Sequence, residues 1–305
     1  MRAISFAAFG GPEVLHIVEV PEPIPGPGEV RVSVRAAGVN YFDGKVRSGL
    51  MESMFSTPLP AFPGLELAGV VNLVGDGVDG VAVGDRVVGW SSGPSGAYAE
   101  QALLKIYAHI PDQVSDTAAA ALPVASEAAQ RGLDTLKIGD RDTLLIHGAS
   151  GSVGELAVQF AVRRGATVIA TASAGHHDKL RGFGALPTSY SAGWAERVAE
   201  LAPDGVDAVL DFAGKGMLPD SIALVGGTDR VLTFADPEAQ DLGVEFSSAS
   251  RSNAGDLTGA LDDVVRGDVV ATVSHVFALA DAVEAHRVLD GRHAGGKIVL
   301  VPSEG

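Results

Sequence analysis

The fold is decided by the stretch His147-Gly148-Ala149-Ser150-Gly151-Ser152-Val153-Gly154. The apolar run at 142–146 predicts a buried strand, residues 155–162 predict a helix, and 167–171 predict a second strand. A glycine-rich turn between a strand and a helix is typical of a dinucleotide-binding site. Glycine lets the backbone approach a pyrophosphate, and the helix N-terminus offers free N–H groups and a positive dipole end.

The turn has the form A-x-G-x-x-G, with Ala149 in the place of the first glycine of the usual pattern. One alternative is a tight strand-to-helix turn that binds no ligand. The two flanking strands favour the binding interpretation. The residues that we predict to contact a cofactor here are Ala149, Ser150, Gly151, Ser152, Val153 and Gly154.

The composition limits the possible functions. With 305 residues, 46% of them hydrophobic and 20% charged, the chain is long enough for about two domains. A net charge of −16 argues against nucleic acids and anionic membranes, because both require a basic surface. Cysteine is absent, which excludes disulfides and thiolate chemistry. There is no signal-peptide pattern and no apolar run of about 18 residues, so we expect a soluble cytoplasmic protein.

The first part of the chain, residues 1 to about 110, is predicted to be rich in β-structure. Runs with alternating or mostly apolar character at 14–20, 29–36, 67–74 and 86–89 are separated by Gly and Pro turns. Many short strands with such turns are typical of a small barrel-like domain.

Strands and helices alternate from residue 142 to about 270, which predicts a doubly wound parallel sheet. Strands are expected at 143–147, 167–171, 186–190, 208–211 and 230–234. Helices are expected at 152–164, 177–183, 194–201, 218–225 and 256–266. Two further helices, at 116–122 and 125–136, are expected before this alternating region. The C-terminal part is predicted to contain a strand at 271–277, a helix at 280–289 and a strand at 297–301.

Four motifs together resemble the zinc-independent quinone oxidoreductase (zeta-crystallin-like) branch of the medium-chain dehydrogenase/reductase family. They are the segment 38–49, the glycine-rich segment 63–87, the turn at 147–154 and the closing segment 296–300. The resemblance covers nearly the full length. It implies an α/β fold, with a β-rich GroES-like catalytic domain (1–118 and 270–305) and a Rossmann NADP-binding domain with a doubly wound parallel sheet (119–269). It also implies a homodimer.

The residues argue against a metal. Zinc-dependent relatives carry a cysteine near the position of Asn40 and a His-Glu pair where this chain has Leu65 and Glu66. A zinc site requires three or four N, S or O ligands. Leucine cannot ligate and the chain has no cysteine, so we expect no metal.

NADP(H) is predicted as the cofactor. An NAD site has an acidic residue about 20 residues past the glycines, whereas the strand here ends at Thr171 and is followed by Ser173. We predict that Thr171 and Ser173 contact the cofactor at this strand end. A carboxylate would repel a 2′-phosphate, so its absence favours NADP(H). The resemblance implies that Lys179, Tyr190 and Arg292 hold this phosphate. The alternative for Lys179 is an ordinary exposed helix lysine.

The ends of two later strands are expected to flank the nicotinamide, because ligands lie outside the carboxyl ends of parallel strands. The predicted contacts are Ala213 and Gly214 after one strand, and Phe234 and Ala235 after the other. These residues could equally be packing glycines and core aromatics.

Asn40 and Tyr41 are the candidate catalytic residues. The Asn40 amide is expected to contact the cofactor ribose or the substrate oxygen, and the Tyr41 hydroxyl to donate to a developing oxyanion. A half-buried tyrosine at a strand end is the alternative for Tyr41. Related enoyl reductases often carry a tyrosine proton donor where this chain has Met51. The resemblance also implies a threonine that helps to place the nicotinamide, and this chain has Ala128 in its position.

These observations predict an NADPH-dependent, metal-free enzyme that reduces small-molecule quinones or α,β-unsaturated carbonyls by hydride transfer. One alternative is an enoyl-thioester reductase of a biosynthetic pathway. Another is a low-turnover NADPH-binding sensor or structural protein.

Overall fold

The computed structural model describes residues 1–54, 56–248, 250–291 and 294–302. The chain forms two compact units. The first contains Met1–Val124 and the segment from Ser252 onward, and the second contains Ala125–Arg251. No helix within the described residues is long and apolar enough to cross a membrane.

The strands are numbered in chain order: β1 (Arg2–Ser5), β2 (His16–Glu19), β3 (Val30–Val39), β4 (Glu66–Val74), β5 (Arg86–Ser91), β6 (Gln101–His109), β7 (Thr143–His147), β8 (Thr167–Thr171), β9 (Leu186–Thr188), β10 (Ala208–Asp211), β11 (Val231–Thr233), β12 (Glu245–Phe246), β13 (Val273–Ala278) and β14 (Lys297–Val301).

The α-helices are α1 (Tyr41–Arg47), α2 (Asp116–Ala120), α3 (Pro123–Thr135), α4 (Ser152–Arg163), α5 (His177–Gly182), α6 (Trp194–Leu201), α7 (Leu218–Val225), α8 (Ala254–Val265) and α9 (Ala282–Asp290). Pro123 begins α3, two residues before the predicted start, because proline has the backbone angle of a first helical residue and needs no N–H bond there.

The second unit contains the predicted parallel sheet, with strand order β12-β11-β10-β7-β8-β9. The side chains of 144–146 in β7 are fully buried, as expected for a strand with elements packed on both faces. The chain proceeds from β7 to β8 on one side and later to β10 on the other. The carboxyl end of β7 is therefore the topological switch point, where such sheets bind their ligands.

The first unit contains a sheet in the order β13-β14-β3-β4-β5-β6, in which β3 also pairs with β6. Strands β3 to β6 are antiparallel and close on themselves, which gives the barrel-like arrangement predicted for the N-terminal part. β14 pairs with β3, so the C-terminal strand completes this sheet.

Helix α8 lies in the first unit, although the sequence pattern grouped 256–266 with the alternating strands and helices of 119–269. Its buried residues Leu257, Ala260 and Leu261 form one face, and the helix packs against β6. The periodicity of the sequence shows that one face of this helix is apolar, but it does not show which sheet that face packs against. The compact units consequently divide at residue 252 instead of 270.

Candidate active site

Two glycines of the turn after β7 are required by the fold. Gly148 has a φ of +72°, which side-chain-bearing residues rarely adopt. A Cβ on Gly154 would lie 2.3 Å from the Gly148 carbonyl oxygen and 2.8 Å from the Ala149 Cα, so only glycine allows α4 to begin this close to β7. Gly154 thus has the helix–strand packing role of the third fingerprint glycine.

Gly151 differs from these two glycines. Its φ of −78° is available to any residue, and a Cβ there would meet its nearest neighbour, the Gly148 carbonyl oxygen, at 3.4 Å. Ser150, Gly151, Ser152 and Val153 are half-buried, so this side of the turn faces solvent. Neither the backbone angle nor the packing at position 151 requires a glycine. The absence of a side chain there leaves room for a pyrophosphate against the backbone.

Ala149 occupies the first glycine position without strain. It is fully buried, and its N–H donates to the Thr171 carbonyl at 3.3 Å. The methyl group is therefore part of the core, and it does not obstruct the solvent-facing side of the turn. A glycine is not needed here.

His147, the last residue of β7, fixes the start of the turn. Its ring nitrogens contact the Thr171 hydroxyl at 3.0 Å and the Ser221 hydroxyl at 3.1 Å, and the ring lies edge-on to Trp194. Burial lowers the pKa of His147 to about 3, so the ring is neutral at physiological pH. The Thr171 side chain, which we predicted to contact the cofactor, is buried against this histidine.

Lys179 lies in α5 and forms an ion pair with Glu155 in the first turn of α4. The Glu155 side chain is only 1% exposed, whereas 26% of the Lys179 side chain is exposed. Ser173, half-buried, immediately precedes the 3-10 turn that leads into α5. Lys179 is therefore a partnered, partly accessible cation beside the glycine turn.

Tyr190 is 39% exposed, and the Lys215 ammonium lies 5.2 Å from the centre of its ring. This is a cation–π contact. Lys215, which follows Gly214 in the loop after β10, is not part of any motif in the sequence. The third residue expected at this place, Arg292, lies outside the described residues.

The loops after β10 and β11 are held together by a buried carboxylate. Asp211 accepts hydrogen bonds from the backbone N–H groups of Ala213 (2.9 Å) and Gly214 (3.1 Å) and from the Thr233 hydroxyl (2.7 Å). Burial raises the pKa of Asp211 above its usual value. Gly214 has a φ of +58°, and a Cβ there would lie 2.6 Å from the Ala235 carbonyl oxygen. Gly214 therefore has a packing role.

Phe234 packs against Arg131, which forms an ion pair in helix α3. Its ring centre lies 4.9 Å from that of Phe212 and 4.8 Å from the Arg131 guanidinium carbon. Arg131 is paired with Glu127 on the same helix, with Nε and Oε1 2.8 Å apart, and also contacts the Ser247 hydroxyl. Both members of this pair are largely shielded from solvent, with 9% of the Arg131 side chain and 10% of the Glu127 side chain exposed.

In the first unit, Asn40 lies in a buried polar cluster with Glu66 and Lys297. The Lys297 ammonium donates to Asn40 Oδ1 at 2.7 Å and to Glu66 Oε1, and Asn40 Nδ2 donates to Glu66 Oε1 at 2.9 Å. Glu66 Oε2 accepts from the Val124 N–H at 2.7 Å. Both ends of the Asn40 amide are therefore engaged within the protein. Lys297 and Glu66 are 1% and 0% exposed.

Asp43 extends this cluster to the start of α1. Its carboxylate accepts from the Asn40 N–H and from the Tyr98 hydroxyl, each at 2.8 Å. Burial raises the pKa of Asp43 to about 6. Tyr41, the other candidate catalytic residue, is the first residue of α1 and is 47% exposed, so it is not at a strand end.

The residues at Glu66 do not fit a zinc ion. Glu66 is paired with the Lys297 ammonium, and Leu65 has no ligating atom. Within the described ranges, no group of three or more His, Cys, Asp or Glu side chains is arranged to hold a metal. A tetrahedral site requires such a group.

A parallel sheet with a glycine turn at its switch point, together with a closed antiparallel sheet, defines the class of two-domain dehydrogenases and reductases. Residues 26–111 match the alcohol dehydrogenase GroES-like domain family, and residues 187–300 match the zinc-binding dehydrogenase family.

Individual relatives agree with this class. A quinone oxidoreductase of Pseudomonas aeruginosa is 35% identical, over 99% of both chains. A 2-haloacrylate reductase of a Burkholderia species is 33% identical over 96% of both chains. The crystal structure of Escherichia coli quinone oxidoreductase, complexed with NADPH, is 28% identical with a TM-score of 0.87, over 99% of this chain and 100% of that one. The chain belongs to the quinone oxidoreductase branch of the medium-chain dehydrogenase/reductase family, and is an oxidoreductase.

The contacts of Lys297, Glu155 and Lys215 were not predicted from the sequence. Lys297 begins an otherwise apolar strand, and a charge in such a strand indicates a buried partner. Glu155 and Lys179 are 24 residues apart in the sequence and lie on different helices, so no periodic pattern in the sequence signals their pairing.

Proposed function

We propose that the protein is an NADPH-dependent, metal-free reductase of quinones or α,β-unsaturated carbonyls. The observation that carries this proposal is the turn at 148–154, where the fold requires glycine at two positions but leaves Gly151 open on the solvent side. A structural relative was solved with NADPH, and two curated relatives are a quinone oxidoreductase and a 2-haloacrylate reductase.

The turn and the first N–H groups of α4 hold the pyrophosphate in this proposal. In this proposal Lys179 and Tyr190 contact the 2′-phosphate, together with Lys215, whose ammonium lies over the Tyr190 ring. Lys179 is partly exposed and Tyr190 is more than one-third exposed, so both can reach a ligand. The backbone after β10 and β11, at Ala213 and Ala235, flanks the nicotinamide.

When bound, NADPH would supply a hydride for transfer to the electrophilic carbon of the acceptor. The Tyr41 hydroxyl, exposed at the start of α1, is our candidate donor to the oxygen that gains charge. Asn40 acts as a positioning residue, because its amide is bound by Lys297 and Glu66 and its N–H by Asp43. It thereby fixes the start of the helix that carries Tyr41.

The proposal is tested by following NADPH oxidation at 340 nm with three sets of acceptors: quinones, enones and enoyl thioesters. Turnover of quinones or simple enones supports it. Preferential turnover of enoyl thioesters would favour a biosynthetic enoyl reductase instead. Tight NADPH binding with no turnover of any set would favour a sensor.

Replacing Lys179 by Met is expected to remove the preference for NADPH over NADH. A charge-assisted contact to a phosphate is worth about 1.5–3 kcal/mol, so the ratio of the two affinities should fall by about ten- to a hundredfold. Fluorescence titration of both cofactors measures this ratio. Lys105→Met, at an exposed lysine of β6, is the control. Equal affinities of the unmodified protein for both cofactors would contradict the assignment.

Activity is expected to be unchanged after treatment with EDTA or 1,10-phenanthroline, because Glu66 is already paired with Lys297. The rate of NADPH oxidation before and after dialysis against the chelator is the measurement. A loss of activity that added Zn²⁺ restores would overturn the metal-free part of the proposal.

A further inference from the structure

The ion pair between Glu155 and Lys179 joins the two helices that follow the neighbouring strands β7 and β8 of the parallel sheet. Strands β7 and β8 are paired in register, with His147 opposite Thr171. Helix α4 starts after β7, and α5 starts a few residues after β8. The pair therefore connects the helix that follows the glycine turn to the helix that follows the strand end at which the ribose of a dinucleotide is expected.

The two members of the pair differ in their access to solvent. Glu155 is 1% exposed, so water screens its charge weakly, whereas Lys179 remains 26% exposed. A ligand phosphate can approach the ammonium only from its exposed side. As it does so, it meets the field of the buried carboxylate as well as that of the lysine.

Lys179 is a paired cation, and the structure assigns a specificity-determining role to its partner. Glu155 weakens the discrimination between NADPH and NADH. This inference rests on the proposed function, in which Lys179 contacts the 2′-phosphate. Glu155 offsets the lysine charge and repels the phosphate dianion, so the preference for NADPH is smaller than Lys179 alone would produce. The pyrophosphate is common to both cofactors, so the effect of Glu155 on it cancels in the ratio of affinities.

Asp178 provides an internal comparison. It is adjacent to Lys179 in the sequence, but its side chain is fully exposed and paired with Arg181. Water screens an exposed charge strongly. The two carboxylates are therefore expected to have unequal effects on the cofactor preference. The buried Glu155 should change it, and the exposed Asp178 should not.

The test compares Kd values for NADPH and NADH by fluorescence titration. Glu155→Gln keeps the size of the side chain and an oxygen that accepts from the ammonium, and removes the charge. We expect it to raise the NADPH/NADH affinity ratio by about tenfold. This is the effect expected when a negative charge a few ångströms from the phosphate is removed and the effective dielectric constant is well above that of a dry protein interior. Asp178→Asn, which changes the net charge by the same amount, should alter the ratio by less than about twofold.

Glu155→Gln combined with Lys179→Met should have a higher NADPH/NADH affinity ratio than Lys179→Met alone, because the carboxylate repels the phosphate directly as well as offsetting the lysine charge. An unchanged or lower ratio in Glu155→Gln would overturn the inference and would indicate that the carboxylate orients Lys179 productively. Glu155→Met, also uncharged, serves if the glutamine variant does not fold. If the unmodified protein and Lys179→Met have the same ratio, the assignment of Lys179 in the proposed function fails too.

Discussion

Replacing Lys297 by Met is expected to lower the free energy of unfolding by about 3–5 kcal/mol. The substitution leaves the Glu66 carboxylate at 0% exposure without its cation and removes the donor to Asn40 Oδ1. An unpaired buried charge costs far more than the pair contributes. Urea unfolding followed by circular dichroism measures the effect.

Two further variants test this explanation. Lys105→Met makes the same substitution at an exposed position of β6 and should stay within about 0.5 kcal/mol of the unmodified protein. Glu66→Gln in the Lys297→Met background should recover part of the loss, with a coupling of about 1–3 kcal/mol between the two sites. Equal effects of Lys297→Met and Lys105→Met would show that the ion pair does not stabilise the fold.

Replacing Gly154 by Ala is expected to disrupt both the stability and the cofactor site. The new methyl group would overlap the Gly148 carbonyl oxygen, from which it would be 2.3 Å away, so α4 must move relative to β7. Overpacking of this kind costs about 1–3 kcal/mol. Displaced N–H groups at the start of α4 should weaken NADPH binding by about tenfold or more. Urea unfolding and NADPH titration measure the two effects.

Gly151→Ala is the matched control, three residues earlier in the same turn. Its backbone angles suit alanine, and its methyl group would meet its nearest neighbour at 3.4 Å. We expect unchanged stability and weaker NADPH binding, because the methyl group would occupy the open side of the turn. A Gly154→Ala variant with the stability and affinity of the unmodified protein would contradict the packing role.

The parallel sheet was predicted well because its strands are apolar runs bounded by turns. The predicted bounds of β7, β8 and β10 agree with the structure, as do those of α6 and α7. Helix α1 was not predicted, since Tyr41–Arg47 has no helical period and contains a glycine. Its start depends instead on the Asp43 carboxylate, which accepts from the Asn40 N–H.

The polar contacts of the candidate site were predicted less well than its backbone. Asn40 was correctly singled out as polar and important, but the sequence could not show that Lys297, 257 residues later, would bind its amide. Lys179 was selected as a cation, and its buried partner Glu155 was missed. Contacts between distant residues depend on tertiary packing, and the spacing of residues along a single chain does not record them.

The position of β14 has a consequence for folding during synthesis. All strands of the parallel sheet lie between residues 143 and 246, so that sheet can be completed while the ribosome is still adding the C-terminal residues. The sheet of the first unit needs β14 beside β3, and its buried Glu66 needs Lys297. The N-terminal strands are translated before β14. Their sheet can therefore be completed, and the Glu66 carboxylate paired with Lys297, only after β14 has emerged from the ribosome.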